Sequence, residues 1–205
     1  PAGIHRAIIF GCEAQAKVLA KQLSDHEWKV KIATCRKEIN EPDVENISIE
    51  HYSKIDYETF ESLEAGKAET IIAPESDDEN LKICELAYEN YGTHDIVVRL
   101  NNRDNFSKFH ELGVKIVEPS TAMVSLLDHF VRSPMATSLL LGMEKNQDTV
   151  EIIIQNPDLH GIALRDLHLP SDILILSTQR KGDTIISTGY TRLRLGDMLT
   201  LVGSV

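Results

Sequence analysis

The chain has 205 residues, of which 42% are hydrophobic and 26% charged, enough apolar material to bury a core and too little polarity for wholesale disorder. Its formal net charge is −11 and no stripe of Lys and Arg is present to neutralise phosphates, which argues against a nucleic-acid partner. Apolar runs such as residues 138–143 and 152–154 fall far below the roughly 20 residues of a membrane span.

In chain order, residues 7–10 form a compact apolar run bounded by Gly11 and read as a buried strand. Residues 14–23 place Ala16, Val18, Leu19, Ala20 and Leu23 on a helical face. Strands are predicted at 30–33 and 47–51, a helix at 57–65 and a strand at 70–73. The next helix starts at Ser76 or Asp77 as cap, has acids in its first turn, and carries Leu81, Ile83, Cys84, Leu86 and Ala87 inward. A strand at 96–100, a helix at 104–112 closed by Gly113 and a strand at 115–117 complete the series. Alternating units of this size predict an α/β fold with a parallel sheet covered on both faces. After Pro119 the pattern changes. Residues 120–130 are helical with Ser120 or Thr121 capping, Arg132-Ser133-Pro134 breaks the helix, and a second helix runs to about 141. Strands follow at 149–154, 173–178, 184–187 and 198–202, with a hairpin turn at Arg180-Lys181-Gly182-Asp183 and a loop with one short helix between 157 and 168.

Acid content divides the chain in the same way: residues 1–138 carry 24 acidic and 15 basic side chains, and residues 139–205 carry 8 and 6. The boundary is predicted near residues 131–145. Cys12, Cys35 and Cys84 are too few and wrongly spaced for a disulfide framework or a zinc site, so a reducing, cytosolic setting is expected. No charged-then-apolar leader opens the chain. Pro1 in place of Met reads as processing or as a part cut from something longer.

A strand ending in Gly11 and running straight into a helix is the setting of a dinucleotide-binding turn, in which three glycines permit the tight turn, the approach of pyrophosphate, and helix–strand packing. Here the run is Gly11-Cys12-Glu13-Ala14-Gln15-Ala16. Gly11 keeps the first position and Ala16 still allows close packing at the third. Glu13, however, puts a carboxylate where phosphate wants bare backbone, a repulsion of about 4 kcal/mol at 4 Å and an effective dielectric near 20. The second strand also ends in Thr34 rather than in the acid that binds ribose hydroxyls. Glu13 and Thr34 therefore weaken the case for NAD, ATP or ADP as cofactor.

Three further segments, Ile71-Ile72-Ala73-Pro74-Glu75-Ser76-Asp77-Asp78-Glu79-Asn80-Leu81, Ile96-Val97-Val98-Arg99-Leu100-Asn101 and Leu112-Gly113-Val114-Lys115-Ile116-Val117-Glu118-Pro119, closely resemble successive parts of the RCK (TrkA-N) domain. The tail resembles the companion TrkA-C domain through His160-Gly161-Ile162-Ala163-Leu164-Arg165-Asp166-Leu167, Leu169-Pro170, Arg180-Lys181-Gly182-Asp183 and Leu195-Gly196-Asp197-Met198-Leu199-Thr200-Leu201-Val202-Gly203. The resemblance implies a Rossmann-like domain at 1–119, a helix-turn-helix crossover at 120–141 and a small α/β TrkA-C-like domain at 142–205. It further implies a cytoplasmic, non-catalytic regulator at the inner face of the cell membrane. Such a regulator forms a homodimer or higher ring, takes a ligand in its cleft, and controls potassium or sodium/proton transport. The transporter would be a separate channel or uptake subunit, or a transmembrane domain of the same chain.

The candidate ligand-binding positions are then Gly11, Cys12, Glu13, Gln15, Ala16, Thr34, Asp78, Asn80 and Arg99. Several have plainer explanations. Glu13 is either a ligand to a cation or to the helix's first amides, or the mark of a site that kept only its structure. Asp77, Asp78 and Asn80 fall at a strand-to-helix turn on the side where ligands enter such sheets, although helix capping alone accounts for the two acids. Arg99, costly to bury unpaired, either meets an acid such as Glu118 or Asp78 or faces an anion in the crevice. Cys12 at a helix start is either redox-sensitive or a small buried filler. The 14 acids between Glu38 and Glu79 include no calcium loop, and the eight histidines show no pair at helical ligand spacing, so no metal ligand is assigned. In the tail, Asn156, Ile162, Leu164, Arg165 and Arg180 are candidates to line a dimer groove. Two other classes compete with the regulatory one: an NAD-dependent oxidoreductase, which needs an intact phosphate turn and an acid–base residue, and a ligand-free structural dimerisation module.

Overall fold

A computed structural model describes residues 4–11, 14–36, 44–93, 95–142 and 147–204. The chain divides into two compact units, Pro1–Ala122 and Met123–Val205. In the first, β1 (Arg6–Phe10) leads to α1 (Ala14–Asp25), β2 (Lys29–Thr34), β3 (Ile47–His51), α2 (Tyr57–Ser62), β4 (Thr70–Ala73), α3 (Asp77–Tyr91), β5 (Asp95–Arg99), α4 (Phe106–Glu111) and β6 (Lys115–Val117). All six strands are parallel, in the order β3-β2-β1-β4-β5-β6. A parallel sheet must be covered on both faces, and successive side chains of each strand supply the two covers. Ile9, Val30, Ile32, Ile47 and Ile49 pack with Ala16 and Ala20 of α1. Ile8, Phe10 and Ala33 face the other way, against Phe60 of α2, Ile83, Cys84 and Ala87 of α3 and Phe109 of α4. Fully burying an Ile or Phe contributes about 1.5–3 kcal/mol, so these two layers dominate the stability of the unit. Burial also pushes the Cys84 thiol up to about 12, which makes it an inert core residue.

Local signals set the ends of the elements. Ser76 caps α3 and forms a reciprocal capping box with Glu79, and Gly92, with φ 61°, closes the helix in the left-handed conformation. Two predicted helices are shorter than expected. The one at 57–65 stops at Ser62, because Glu64 takes a left-handed backbone (φ 54°) and a 3-10 turn, Ala65–Lys67, follows. The one at 104–112 begins as a 3-10 turn, Arg103–Asn105, before α4.

The helix α5 (Pro119–Arg132) begins one residue earlier than predicted. Pro119, which has no N–H to satisfy, is suited to the first turn, so Ser120 and Thr121 lie inside the helix rather than capping it. The Thr121 hydroxyl donates to the Glu118 carboxylate at 2.8 Å. After the Arg132-Ser133-Pro134 break, α6 (Pro134–Leu140) follows, with Pro134 again in its first turn. In the second unit β7 (Gln147–Ile153), β8 (Leu174–Arg180), β9 (Asp183–Ile186) and β10 (Met198–Ser204) form an antiparallel sheet in the order β7-β10-β8-β9. The predicted hairpin turn joins β8 to β9, with Lys181 and Gly182 both at positive φ (52° and 90°), the geometry that matches strand twist. The helical content between 157 and 168 is two 3-10 turns, Pro157–Leu159 and Leu164–Asp166. Ile154, Leu193 and Leu199 form the centre of this unit's core.

Candidate functional site

The strand order reverses between β1 and β4. The connection leaving β1 turns into α1 on one face and that leaving β4 turns into α3 on the other, so the two chains diverge and leave a crevice at the carboxyl ends of the strands. Gly11, Thr34 and Arg99 stand at or just beyond the ends of β1, β2 and β5.

Gly11 is buried, its N–H donates to the Ala33 carbonyl at 2.9 Å, and a Cβ added to it would lie 2.7 Å from the Cβ of Ala16. The first and third positions of the turn thus do together what the sequence predicts of them: they let α1 approach β1. Cys12 and Glu13 lie outside the described residues. Gln15, in the first turn of α1, is exposed. Thr34 is fully buried; its hydroxyl accepts the Arg36 N–H at 3.2 Å and its carbonyl the Tyr52 N–H at 3.0 Å. The position that holds an acid in a ribose-binding turn is therefore committed to shaping the chain's exit from β2, after which Cys35 and Arg36 are exposed.

On the α3 side, the structure separates three neighbouring residues that look alike in sequence. Asp78 is exposed. Asn80 is completely buried: its Oδ1 accepts the Glu75 N–H at 3.0 Å, and its Nδ2 donates to the carbonyls of Glu75 (3.0 Å) and Arg99 (2.9 Å). It thereby ties the turn after β4 to the end of β5. Asp77, also buried, accepts four hydrogen bonds from the loop after β5: the N–H and Nδ2 of Asn101 at 2.8 and 3.0 Å, the Asn102 N–H at 2.9 Å and the Asn105 Nδ2 at 2.9 Å. Burial by itself would raise the Asp77 carboxyl, but the donors from Asn101, Asn105 and Asn102 together outweigh it and hold the group below the ordinary carboxylate range.

Arg99 meets neither of its expected partners. Glu118 is taken by Arg103 and Thr121, and Arg99 Nε donates instead to Asn101 Oδ1 at 2.9 Å. Its Nη groups have no acceptor among the described residues. The sequence alone puts Asp77 at this turn, either on the side where ligands enter or as a helix cap, and it does not single out Arg36 or the Asn101-Asn102-Arg103-Asp104-Asn105 run. That polar cluster directly after a buried strand was the available signal for a built loop.

In the second unit most of the predicted groove residues have internal partners. Arg180 forms a two-pronged ion pair with the buried Asp197, at 2.9 and 2.7 Å, and donates to the Arg192 carbonyl at 2.8 Å. Asn156 caps a 3-10 turn by accepting the Asp158 N–H, Leu164 packs on the core, and Arg165 lies over the Tyr190 ring at 4.6 Å. Among the described residues no group of three or more His, Cys, Asp or Glu side chains is placed to hold a metal ion, and no helix is long and apolar enough to cross a membrane.

Residues 7–119 match the TrkA-N domain family and residues 149–205 the TrkA-C domain family. The chain is 28% identical over 188 residues to the protein named "Putative Na(+)/H(+) antiporter YjbQ" from Bacillus subtilis (strain 168), covering 89% of this chain and 30% of that one. It is 28% identical over 204 residues to the Trk system potassium uptake protein TrkA homolog of Archaeoglobus fulgidus, covering 97% of this chain and 46% of the relative. The chain thus spans less than half the length of these relatives. Among solved structures it is similar in fold to the GsuK channel bound to NAD, with a TM-score of 0.53 and 16% identity, covering 100% of this chain and 37% of that one. The chain belongs to the TrkA-N/TrkA-C family.

Proposed function

We propose that this TrkA-N/TrkA-C chain is a non-catalytic regulator of monovalent cation transport, potassium or sodium/proton, acting on a membrane transporter as a cytoplasmic dimer. The observation that carries the reading is the surface of α5 and α6. Met123, Val124, Leu127, Val131, Met135 and Leu140 are all exposed there, Val131 to 84%, a concentration of apolar side chains that a monomer rarely leaves in water. A second copy of the chain is the occupant that covers it, which makes the crossover both dimer contact and hinge. The domain limits that go with this reading are proposed as 1–119, 120–141 and 142–205.

For the crevice we propose a nucleotide ligand, held more weakly than by an intact glycine turn because the sequence has Glu13 at the second glycine position. Gly11 and Ala16 let α1 point its amino end into the crevice, where its dipole favours phosphate, and the Arg99 guanidinium stands at the same end of the sheet. Thr34 offers no carboxylate to a ribose, so the site does not read a ribose as a dinucleotide fold with an acid there does. Gln15 and Asp78 complete the rim, and Asn80 fixes its floor. Binding that differs between two arrangements of the dimer would shift their populations and so pull on a transporter. The similarity to potassium uptake and antiporter relatives supports this class.

The test combines sedimentation with calorimetric titration of AMP, ADP, ATP, NAD+ and NADH. A dimer with saturable nucleotide binding and no turnover of NADH is the expected result. NADH oxidation coupled to a substrate would overturn the reading, and a dimer that takes no ligand would make the chain a structural dimerisation module.

A further inference from the structure

A cavity of about 330 Å³ opens at the amino ends of β1, β2 and β3, the end of the sheet opposite the crevice, and its size falls within the ~300–1,000 Å³ of small-molecule sites. Its floor is set by strand register. Ile8, Phe10 and Ala33 face the core under α2 and α3, so the alternation of side chains sends Arg6, Lys29 and Lys31 to that same face. Arg6 lies beside Lys29, and Lys31 beside Ser48 on β3. Three cations thus sit on adjacent positions of one sheet face, where like charges oppose folding, and Lys67 adds a fourth from the rim. The chain as a whole carries a net charge of −11, so this lining reverses the sign of its surroundings.

Two acids line the cavity, Glu45 and Glu64. Glu64, in its left-handed backbone conformation, reaches between two of the cations: it pairs with Lys67 and, at 3.4 Å, with Lys31. The Lys67 hydrogen bond, then that of Lys31, hold its carboxyl below the usual range and keep it ionised. Arg6 and Lys29 have no side-chain partner among the described residues. The lining therefore carries four cations against two acids: Lys31 and Lys67 pair with Glu64, while Arg6, Lys29 and the second acid, Glu45, form no ion pair among the described residues.

We propose that this cavity is a binding site for a small phosphate-class polyanion, held by Arg6, Lys29, Lys31 and Lys67, with Glu64 as the internal anion that the ligand displaces. Such a ligand needs two or more charges, because a singly charged one would gain little over the carboxylate already there. The site is separate from the nucleotide crevice and stands whether or not that crevice takes a ligand.

Pyrophosphate, titrated into the full chain by calorimetry at low and at high salt, is the probe. Saturable binding at one site per chain is expected, weakening as salt rises. Arg6→Gln and Lys29→Gln should each weaken it about tenfold or more, the worth of a charge-assisted hydrogen bond. Lys17→Gln, an equal change of charge on the exposed side of α1, should leave it unchanged. Glu64→Gln should tighten it, since it releases Lys31 and Lys67 from their internal partner. That sign separates a binding site from a merely structural cluster. Absence of saturable binding, equal weakening by Lys17→Gln, or weakening by Glu64→Gln would each overturn the proposal. Thermal unfolding of every variant confirms that the protein titrated is folded.

Discussion

Replacing Asp77 with Asn tests the account of the crevice most directly. The two carboxylate oxygens of Asp77 each accept two hydrogen bonds: Oδ1 from the N–H and Nδ2 of Asn101, Oδ2 from the Asn102 N–H and the Asn105 Nδ2. An amide has one oxygen, so whichever way the Asn is turned one of these pairs faces an NH2 donor. Two charge-assisted bonds are lost and two part-buried donors lose their carboxylate acceptor, which we put at about 3 kcal/mol using ~1.5 kcal/mol for each bond to a charged group. For a chain of this size that lowers the melting transition by about 10 °C. The single tryptophan, Trp28, lies in the first unit, so urea unfolding followed by its fluorescence reports on the correct part of the molecule.

The pH dependence has a definite sign. The folded Asp77 carboxyl titrates below its ordinary value, so its stabilisation is present above the unfolded pKa of about 4 and disappears as pH falls through the lower, folded value. The gap between wild type and Asp77→Asn should therefore be widest near neutrality and close as the wild type is acidified. A cost below about 1 kcal/mol at pH 7, or a gap that stays constant into acid, would refute the reasoning, because a charge-assisted network predicts both.

Gly11→Ala would set two Cβ atoms 2.7 Å apart, and the resulting displacement of α1 should cost about 1–3 kcal/mol and abolish nucleotide binding in the same calorimetric titration. Arg99→Gln removes a guanidinium with no ion-pair partner among the described residues, so nucleotide affinity should fall about tenfold with little change in melting temperature. Asp197→Ala leaves Arg180 without its ion-pair partner and the Arg194 N–H without its acceptor and should destabilise the second unit by about 3 kcal/mol, visible as faster amide exchange in β8 and β10 and unchanged exchange in β1 to β6. Val131→Asp places a charge on the exposed apolar surface of α5, and sedimentation should show the mass falling from dimer to monomer while the thermal transition of the first unit is retained.

Buried apolar runs and local caps were legible in the chain before any tertiary contact. The strands Ile47–His51, Thr70–Ala73 and Lys115–Val117 fall at their predicted limits, and in the first two Ile47, Ile49, Ile71 and Ala73 are the buried apolar positions. Ser76 capping α3 and the Lys181-Gly182 turn are local backbone chemistry, which needs no distant partner. Gly11 and Ala16 were likewise readable as a pair, since a five-residue spacing across a strand–helix turn fixes their approach.

What the sequence could not rank were residues whose roles depend on elements far along the chain. Asp77 and Asp78 are adjacent acids, yet one is buried in four hydrogen bonds and the other exposed. A step of one residue on a helix turns the side chain by about 100°, and only the loop after β5, 24 residues later, decides which of them it meets. Of the two readings of Arg99, the acid partner is not met: Glu118 pairs with Arg103, and Arg99 donates to the Asn101 amide. Arg6, Lys29 and Lys31 attract no notice in a linear reading that contains 21 basic residues. Parallel pairing of β1 with β2 brings them onto one face. Composition and local pattern thus determined the fold class and where its turns fall, because burial and capping act over a few residues. The tertiary structure alone decided which charges stand together, because electrostatic neighbours are set by strand register and helix rotation, which no single segment contains.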